Sequence, residues 1–191
     1  LDAIAFMHAR GVVHRDLKLE NLVLAKPDDL SSVTLVDFGL AKALMARERA
    51  ENVCGTLAYV APEALVAGQY GQGVDVWALG VGMHALLTGA WPFDDEDEDE
   101  LMDSIIACEL DFDGPDACET FSWISPDAKD LLTGLLNPNP KHRLTAAQAL
   151  EHGWFTRQKN NRTDKIHHVH KRLDALSQSQ VSISHFPHSA G

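Results

Sequence analysis

Two short runs in this sequence combine the side-chain types that phosphoryl transfer requires. HRDLKLEN spans His14 to Asn21, and DFG spans Asp37 to Gly39. Phosphoryl transfer asks little covalent chemistry of a protein. It asks for an oriented acceptor hydroxyl, hard cations against the phosphates and compensation of charge in the transition state. Asp16 is a carboxylate that can accept the hydroxyl's proton, and Lys18 carries a positive charge that can neutralise the moving phosphoryl group. Asn21 offers a carbonyl oxygen and Asp37 a carboxylate to Mg²⁺, which prefers oxygen ligands. Each of these residues alone is ordinarily a solvated loop residue, and a lone DFG is a common chance match. The order of the two runs, about twenty residues apart with strand-like pieces between, carries the weight.

The elements that must position these residues follow from pattern. Residues 1–10 read as the end of an amphipathic helix, with Leu1, Ile4, Ala5 and His8 at helical spacing and Gly11 as its C-cap. Short strands are expected at Val12–Val13, Leu22–Leu24 and Val33–Val36, separated by turn-forming polar and Pro/Asp segments. From Gly73 to Thr88 the chain is almost wholly apolar, which predicts a buried central helix with Gly89 just past its end. Ser125-Pro126-Asp127 has the form of a helix start, followed by a stripe of Leu131, Leu132, Leu135 and Leu136. Thr145-Ala-Ala-Gln148 is a capping box that opens a further helix. No internal repeat is evident.

Bulk properties set the frame. The chain has 191 residues, 45% apolar and 23% charged, as in ordinary globular proteins. A net charge of -12 disfavours nucleic-acid and acidic-membrane partners and favours basic peptides. No apolar run reaches the length of a membrane span. Cys54, Cys108 and Cys118 form no CxxC pair, so a reducing, cytoplasmic setting is expected rather than a disulfide framework. The chain starts in mid-pattern, without an initiator Met or a signal sequence.

Further motifs join the first two: GTLAYVAPE from Gly55 to Glu63, DVWALGV from Asp75 to Val81, and Arg143 within HRLTAAQAL. With them, residues 1–156 resemble the C-terminal lobe of a eukaryotic serine/threonine protein kinase. The resemblance implies an α+β protein-kinase-like fold, mainly helical, with short strands around a catalytic loop. It implies Asp16, Lys18 and Thr56 as the catalytic set, with Asp16 the base and Thr56 hydrogen-bonded to Asp16 and Lys18. It places Glu20, Asn21, Val23 and Asp37 on the cofactor side, with Asn21 and Asp37 the metal ligands, Val23 under adenine, and ATP and Mg²⁺ as cofactors. Glu20 also matches a residue that contacts basic side chains of peptide substrates. Glu63 is expected to pair with Arg143, Asp75 to hold the catalytic loop's backbone, and His14 and Phe38 to stack. The lysine two residues after the base points to serine and threonine acceptors.

HRDLKLEN and the stretch from SPDAKDLL to EHGWF are most similar to the calcium/calmodulin-dependent group. Residues 40–55 contain no Ser, Thr or Tyr, so ordering by phosphorylation is not expected there, and Glu48 or Glu51 is a candidate partner for Arg15. The seven acids from Asp94 to Glu100 suit a solvated loop before a helix N-terminus. Residues 157–176 include KIHHVHKRLDAL, a basic amphipathic pattern that resembles an autoinhibitory or calmodulin-binding segment, with a surface helix or disordered tail as the alternative, and 177–191 read as a disordered tail. The sequence shows no Gly-rich phosphate loop and no VAIK-type lysine, so the ATP-anchoring N-terminal lobe is expected to lie outside this chain. The competing reading is a non-catalytic binding module that lacks that lobe.

Overall fold

The computed structural model describes residues 1–27, 29–43, 57–68, 71–110, 112 and 124–158. Seven helices and four short strands follow one another among them: α1 Asp2–His8, β1 Val12–Val13, β2 Leu22–Leu24, β3 Val33–Leu35, β4 Lys42–Ala43, α2 Pro62–Ala67, α3 Gly73–Thr88, α4 Glu98–Ala107, α5 Pro126–Leu135, α6 Ala146–Leu150 and α7 Gly153–Gln158. None of these helices is long and apolar enough to cross a membrane.

The strands form two nested antiparallel ribbons. In the inner one Leu22 faces Leu35, Val23 faces Thr34 and Leu24 faces Val33. In the outer one Val12 faces Ala43 and Val13 faces Lys42. The nesting returns the segment after β3 to the segment before β2, which is where both chemistry-bearing runs lie. Val36 marks the junction: its N–H donates to the Asn21 carbonyl at 2.9 Å, one residue beyond the end of β3. Two-stranded ribbons are marginal on their own and need a supporting core.

That core is built around α3. Val74, Val76, Trp77, Ala78, Val81 and Ala85 are buried, and Leu131, Leu132 and Leu135 of α5 pack against them. Gly80 is what lets the two helices approach. A Cβ there would lie 2.8 Å from Leu136 Cδ2 and 3.0 Å from Leu135 Cβ, closer than packed atoms tolerate. The helix ends at Gly89, whose φ of 79° is the left-handed cap that the sequence pattern predicts. α1 packs on α6, α2 on α4, and α5 on α7, so every helix is buried on at least one face.

The predicted helix starts are present. The Ser125 hydroxyl accepts from the Ala128 N–H, and Thr145 and Gln148 close a complete capping box. Asp97 caps α4 by accepting from Asp99 and Glu100, which places Glu98, Asp99 and Glu100 in the first turn, where the helix dipole favours acids. Three details differ from expectation. Gly11 does not cap α1: the helix ends at His8 with Ala9 right-handed. The Arg10 and Gly11 N–H groups then bond back three residues, and Gly11, at φ 72°, turns the chain into β1. Strand β3 stops at Leu35 rather than Val36. Strand β4 has no alternation of its own and exists through its pairing with β1.

At the C-terminal end of α3 a polar knot lies inside apolar packing. His84 is buried, and its Nδ1 donates to the Ala90 carbonyl at 3.0 Å. The Thr88 hydroxyl donates to the His84 carbonyl at 2.8 Å and accepts from the Ala90 N–H at 3.1 Å. Burial lowers the His84 pKa below its ordinary value, against a smaller opposing effect of the Ala90 hydrogen bond. The folded state therefore holds this ring neutral while the unfolded chain protonates it at about pH 6.5 and below. This group's contribution to stability is complete above that value and is lost as pH falls toward the lowered folded value. Urea midpoints at pH 7.5 and 5.5 are expected to show a loss of stability at the lower pH. His84→Gln should reduce that loss, by at most about 1.4 kcal/mol per pH unit. An unchanged difference between the two midpoints would contradict the assignment.

Candidate active site

The segment between β1 and β2 carries its functional groups on a backbone held from α3. The Asp75 carboxylate is buried in the first turn of that helix. It accepts the His14 N–H at 2.8 Å and the Arg15 N–H at 2.9 Å. Its third partner is His8 Nε2 of α1, at 2.9 Å from the oxygen that receives His14. An Asp this deep is tolerated only because its oxygens are occupied. Arg15 has a φ of 70°, a left-handed conformation costly for a residue with a side chain. Its Nε reaches the Leu40 carbonyl at 2.6 Å, tying the loop to the segment after DFG.

Asp16 follows directly. Its Oδ2 lies 3.3 Å from Lys18 Nζ, with both side chains partly accessible. The Asn21 amide nitrogen donates to the Asp16 carbonyl at 2.8 Å, which folds the segment back on itself and leaves the amide oxygen of Asn21 as a donor atom for a cation. The Leu19 N–H donates to the Tyr59 hydroxyl at 3.2 Å. Asp37 is exposed, has a φ of 61°, and accepts the Gly39 N–H at 3.1 Å. Since the Val36 N–H bonds the Asn21 carbonyl, Asp37 leaves the inner ribbon directly beside Asn21. One amide oxygen and one carboxylate thus fit a hard cation that takes the rest of its shell from phosphate and water. Among the described residues, no group of three or more His, Cys, Asp or Glu side chains is placed to hold a metal.

Most of the predicted constellation is therefore brought together. Asp16, Lys18 and Asn21 share one segment, and Asp37 adjoins it. His14 and Phe38 make an edge-to-face contact with centroids 5.1 Å apart, as expected. Among the described residues the buried ring nitrogens of His14 find no hydrogen-bond partner, and the ring packs against Phe38. Phe38 is 52% exposed and Val23 46%, open apolar surface beside the polar cluster. Glu20 is exposed next to Leu19. Thr56, Glu48 and Glu51 lie outside the described residues, as does the 159–191 stretch.

The predicted Glu63–Arg143 pair is present and bidentate, at 2.7 and 2.8 Å. Arg143 also donates to the carbonyls of Gly73 and Asn137, both at 2.8 Å, and its guanidinium lies 5.0 Å from the Trp77 ring centroid. It thereby pins α2 to the start of α3 and to the loop before α6. Sequence reasoning missed the His8–Asp75 bond and the Leu19–Tyr59 bond. The first had a signal, a histidine within an otherwise apolar helical stripe. The second had none, because a backbone N–H carries no residue type.

The model of the protein kinase domain matches residues 1–155. Calcium/calmodulin-dependent protein kinase type 1B of Rattus norvegicus is 44% identical over 156 residues, 82% of this chain and 44% of the relative. The Homo sapiens type 1B protein has the same identity and coverage. Calcium/calmodulin-dependent protein kinase type 1 of Caenorhabditis elegans is 42% identical over 170 residues, 89% of this chain and 46% of the relative. The chain thus spans less than half the length of these curated relatives.

Removing the Asp75 carboxylate strands two backbone N–H groups. Asp75→Ala is expected to destabilise the fold by roughly 2–6 kcal/mol, at about 1–3 per unmet group, measured by urea denaturation. The amides of His14 and Arg15 should lose hydrogen-exchange protection at the same time. Asp75→Asn, which keeps one acceptor oxygen, should fall between. Wild-type protection at both amides in Asp75→Ala would show that the loop is held by other means.

Proposed function

The chain belongs to the protein kinase domain family, and from that premise we propose that it supplies the large-lobe half of an ATP- and Mg²⁺-dependent serine/threonine kinase. The observation that carries the reading is the convergence of Asp16, Lys18 and Asn21 on a segment held by Asp75, with Asp37 delivered beside Asn21. Asp16 orients the acceptor hydroxyl of a protein substrate and takes its proton. Lys18, held at Asp16 before substrate arrives, turns its ammonium to the phosphoryl oxygens as charge builds there. Asn21 and Asp37 supply the oxygen atoms that would hold Mg²⁺, and the bound ion would neutralise charge on the phosphates of ATP. Val23 and Phe38 offer apolar surface for the nucleotide side of the site, and the exposed Glu20 faces the peptide side.

The same premise extends along the chain. Residues 1–156 form the catalytic lobe, and the acidic surface favours basic peptide substrates. α7 runs past position 156, so this lobe ends within a helix or just after it. The basic amphipathic stretch within 157–176 is a calmodulin-binding or autoinhibitory segment, a reading supported by the similarity to calcium/calmodulin-dependent protein kinases.

Two measurements test these assignments. In the full-length protein, phosphate transfer from ATP to a serine peptide should fall by about 10²–10⁴ in kcat on Asp16→Asn, the range that positioned proton transfer contributes. Activity equal to wild type would remove Asp16 as the base and favour a binding module without catalysis. A synthetic 157–176 peptide should bind calmodulin only in the presence of calcium. Absence of a calorimetric signal at micromolar concentrations would dispose of that partner.

A further inference from the structure

Tyr59 lies in the segment that leads into α2, far from the catalytic segment along the chain. It is buried, and it packs edge-to-face on Trp91 with centroids 5.4 Å apart. Its hydroxyl nevertheless accepts the Leu19 N–H at 3.2 Å. Leu19 is the residue between Lys18 and Glu20, and it opens the short 3₁₀ turn that ends at Asn21. Its side chain is fixed as well: a Cβ on Gly82 of α3 would lie 3.3 Å from Leu19 Cδ2, so the leucine rests directly on the helix backbone. One residue is thus held by its N–H from the 57–60 segment and by its side chain from α3. The residues on either side of it are Lys18 and Glu20, the phosphoryl-facing cation and the peptide-facing acid in the reading above.

We propose that the Tyr59 hydroxyl is a positioning group that sets Lys18, Glu20 and Asn21 relative to the peptide-binding segment through the Leu19 amide. This proposal rests on the kinase reading of the site. Lys18 enters the turn extended, with φ −155° and ψ 164°, and its carbonyl accepts the Asn21 N–H at 3.1 Å, so the turn joins Lys18 to Asn21 across Leu19 and a shift of Leu19 carries to both. The burial that surrounds Tyr59 raises its hydroxyl pKa, and the Glu20 charge nearby acts in the same direction, so the group stays a neutral phenol across the working pH range. It then accepts from Leu19 without adding a charge beside Lys18.

Two substitutions delete the same hydrogen bond from opposite ends. Tyr59→Phe removes the acceptor and keeps the ring on Trp91. Leu19→Pro removes the donor at a position where proline fits, because the preceding residue is extended and the site is the first of a helical turn. In the full-length protein each should lower kcat for peptide phosphorylation roughly fivefold, about what one hydrogen bond is worth, with KM for ATP unchanged. The double variant should be no worse than Leu19→Pro alone, because the bond can be lost only once. A merely structural tyrosine would lower the melting temperature and leave kcat at low temperature intact. Unaltered kcat in Tyr59→Phe, or strictly additive losses in the pair, would overturn the proposal.

Hydrogen exchange gives a readout independent of activity. The Leu19 amide should be protected in the wild type and exchange faster in Tyr59→Phe. Equal exchange rates sink the proposal whether or not the protein transfers phosphate. Asp16→Asn separates the two readings: a dead Asp16→Asn beside a fully active Tyr59→Phe condemns the tie and spares the kinase assignment.

Discussion

The buried carboxylate of Asp75 is the constraint on which the site depends. It sits in the first turn of α3 and accepts three donors from two other parts of the chain, two backbone N–H groups and one imidazole. A carboxylate with those partners removed would carry a desolvation cost of several kcal/mol. The helix can therefore bury Asp75 only if the loop is present in one geometry, and the loop keeps that geometry only while Asp75 is there. This mutual dependence links a packed helix, which is rigid because it is surrounded, to a loop anchored in the same core by Leu17.

A second buried charge does the corresponding work on the other side of α3. Arg143 uses its planar fork on Glu63 and spends its remaining donors on the Gly73 and Asn137 carbonyls. Removing one partner from such a pair costs about 3–5 kcal/mol, far more than a surface ion pair contributes. The Lys18–Asp16 pair is of the opposite kind. Both of its members remain partly accessible, so water screens their attraction and the pair contributes less to stability. The molecule places its buried ion pair where segments are locked together and its more accessible one in the candidate site.

How much of this was legible in the sequence depends on what carried the information. The clustering of Asp16, Lys18, Asn21 and Asp37 was legible in their types and spacing, and the contacts of Glu63, Asp75 and Arg143 in the motifs that hold them. The caps at Ser125, Thr145 and Gly89 were readable because a single residue type solves each helix end. Other features were set by tertiary contact and left no local trace. Strand β4 is a strand because β1 is beside it. Gly11 reads as a helix cap, yet α1 tightens into a 3₁₀ turn two residues earlier so that the chain can enter β1. The close approach at Gly80 depends on Leu135 and Leu136, more than fifty residues away in sequence. The tyrosine hydroxyl at Leu19 is invisible for the same reason, since its partner is a backbone group.

Among the described residues three non-glycine positions are left-handed: Cys108 caps α4, while Arg15 and Asp37 lie in the candidate site. Arg15 and Asp37 both have side chains, yet both have φ values above 60°. Each such conformation costs on the order of 1–3 kcal/mol unless the surroundings over-determine it. Arg15 is over-determined by Asp75 at its N–H and by Leu40 at its Nε. Asp37 follows Val36, whose N–H is bonded to Asn21, and bonds the Gly39 N–H with its own carboxylate. Arg15 thus directly precedes Asp16, and Asp37 is itself the second strained residue. The strain turns the chain so that Asp16 leaves the outer ribbon beside Lys18, while Asp37 leaves the inner ribbon beside Asn21. A relaxed backbone at either point would send that carboxylate elsewhere, so the hydrogen bonds that bear the strain are what place the chemistry.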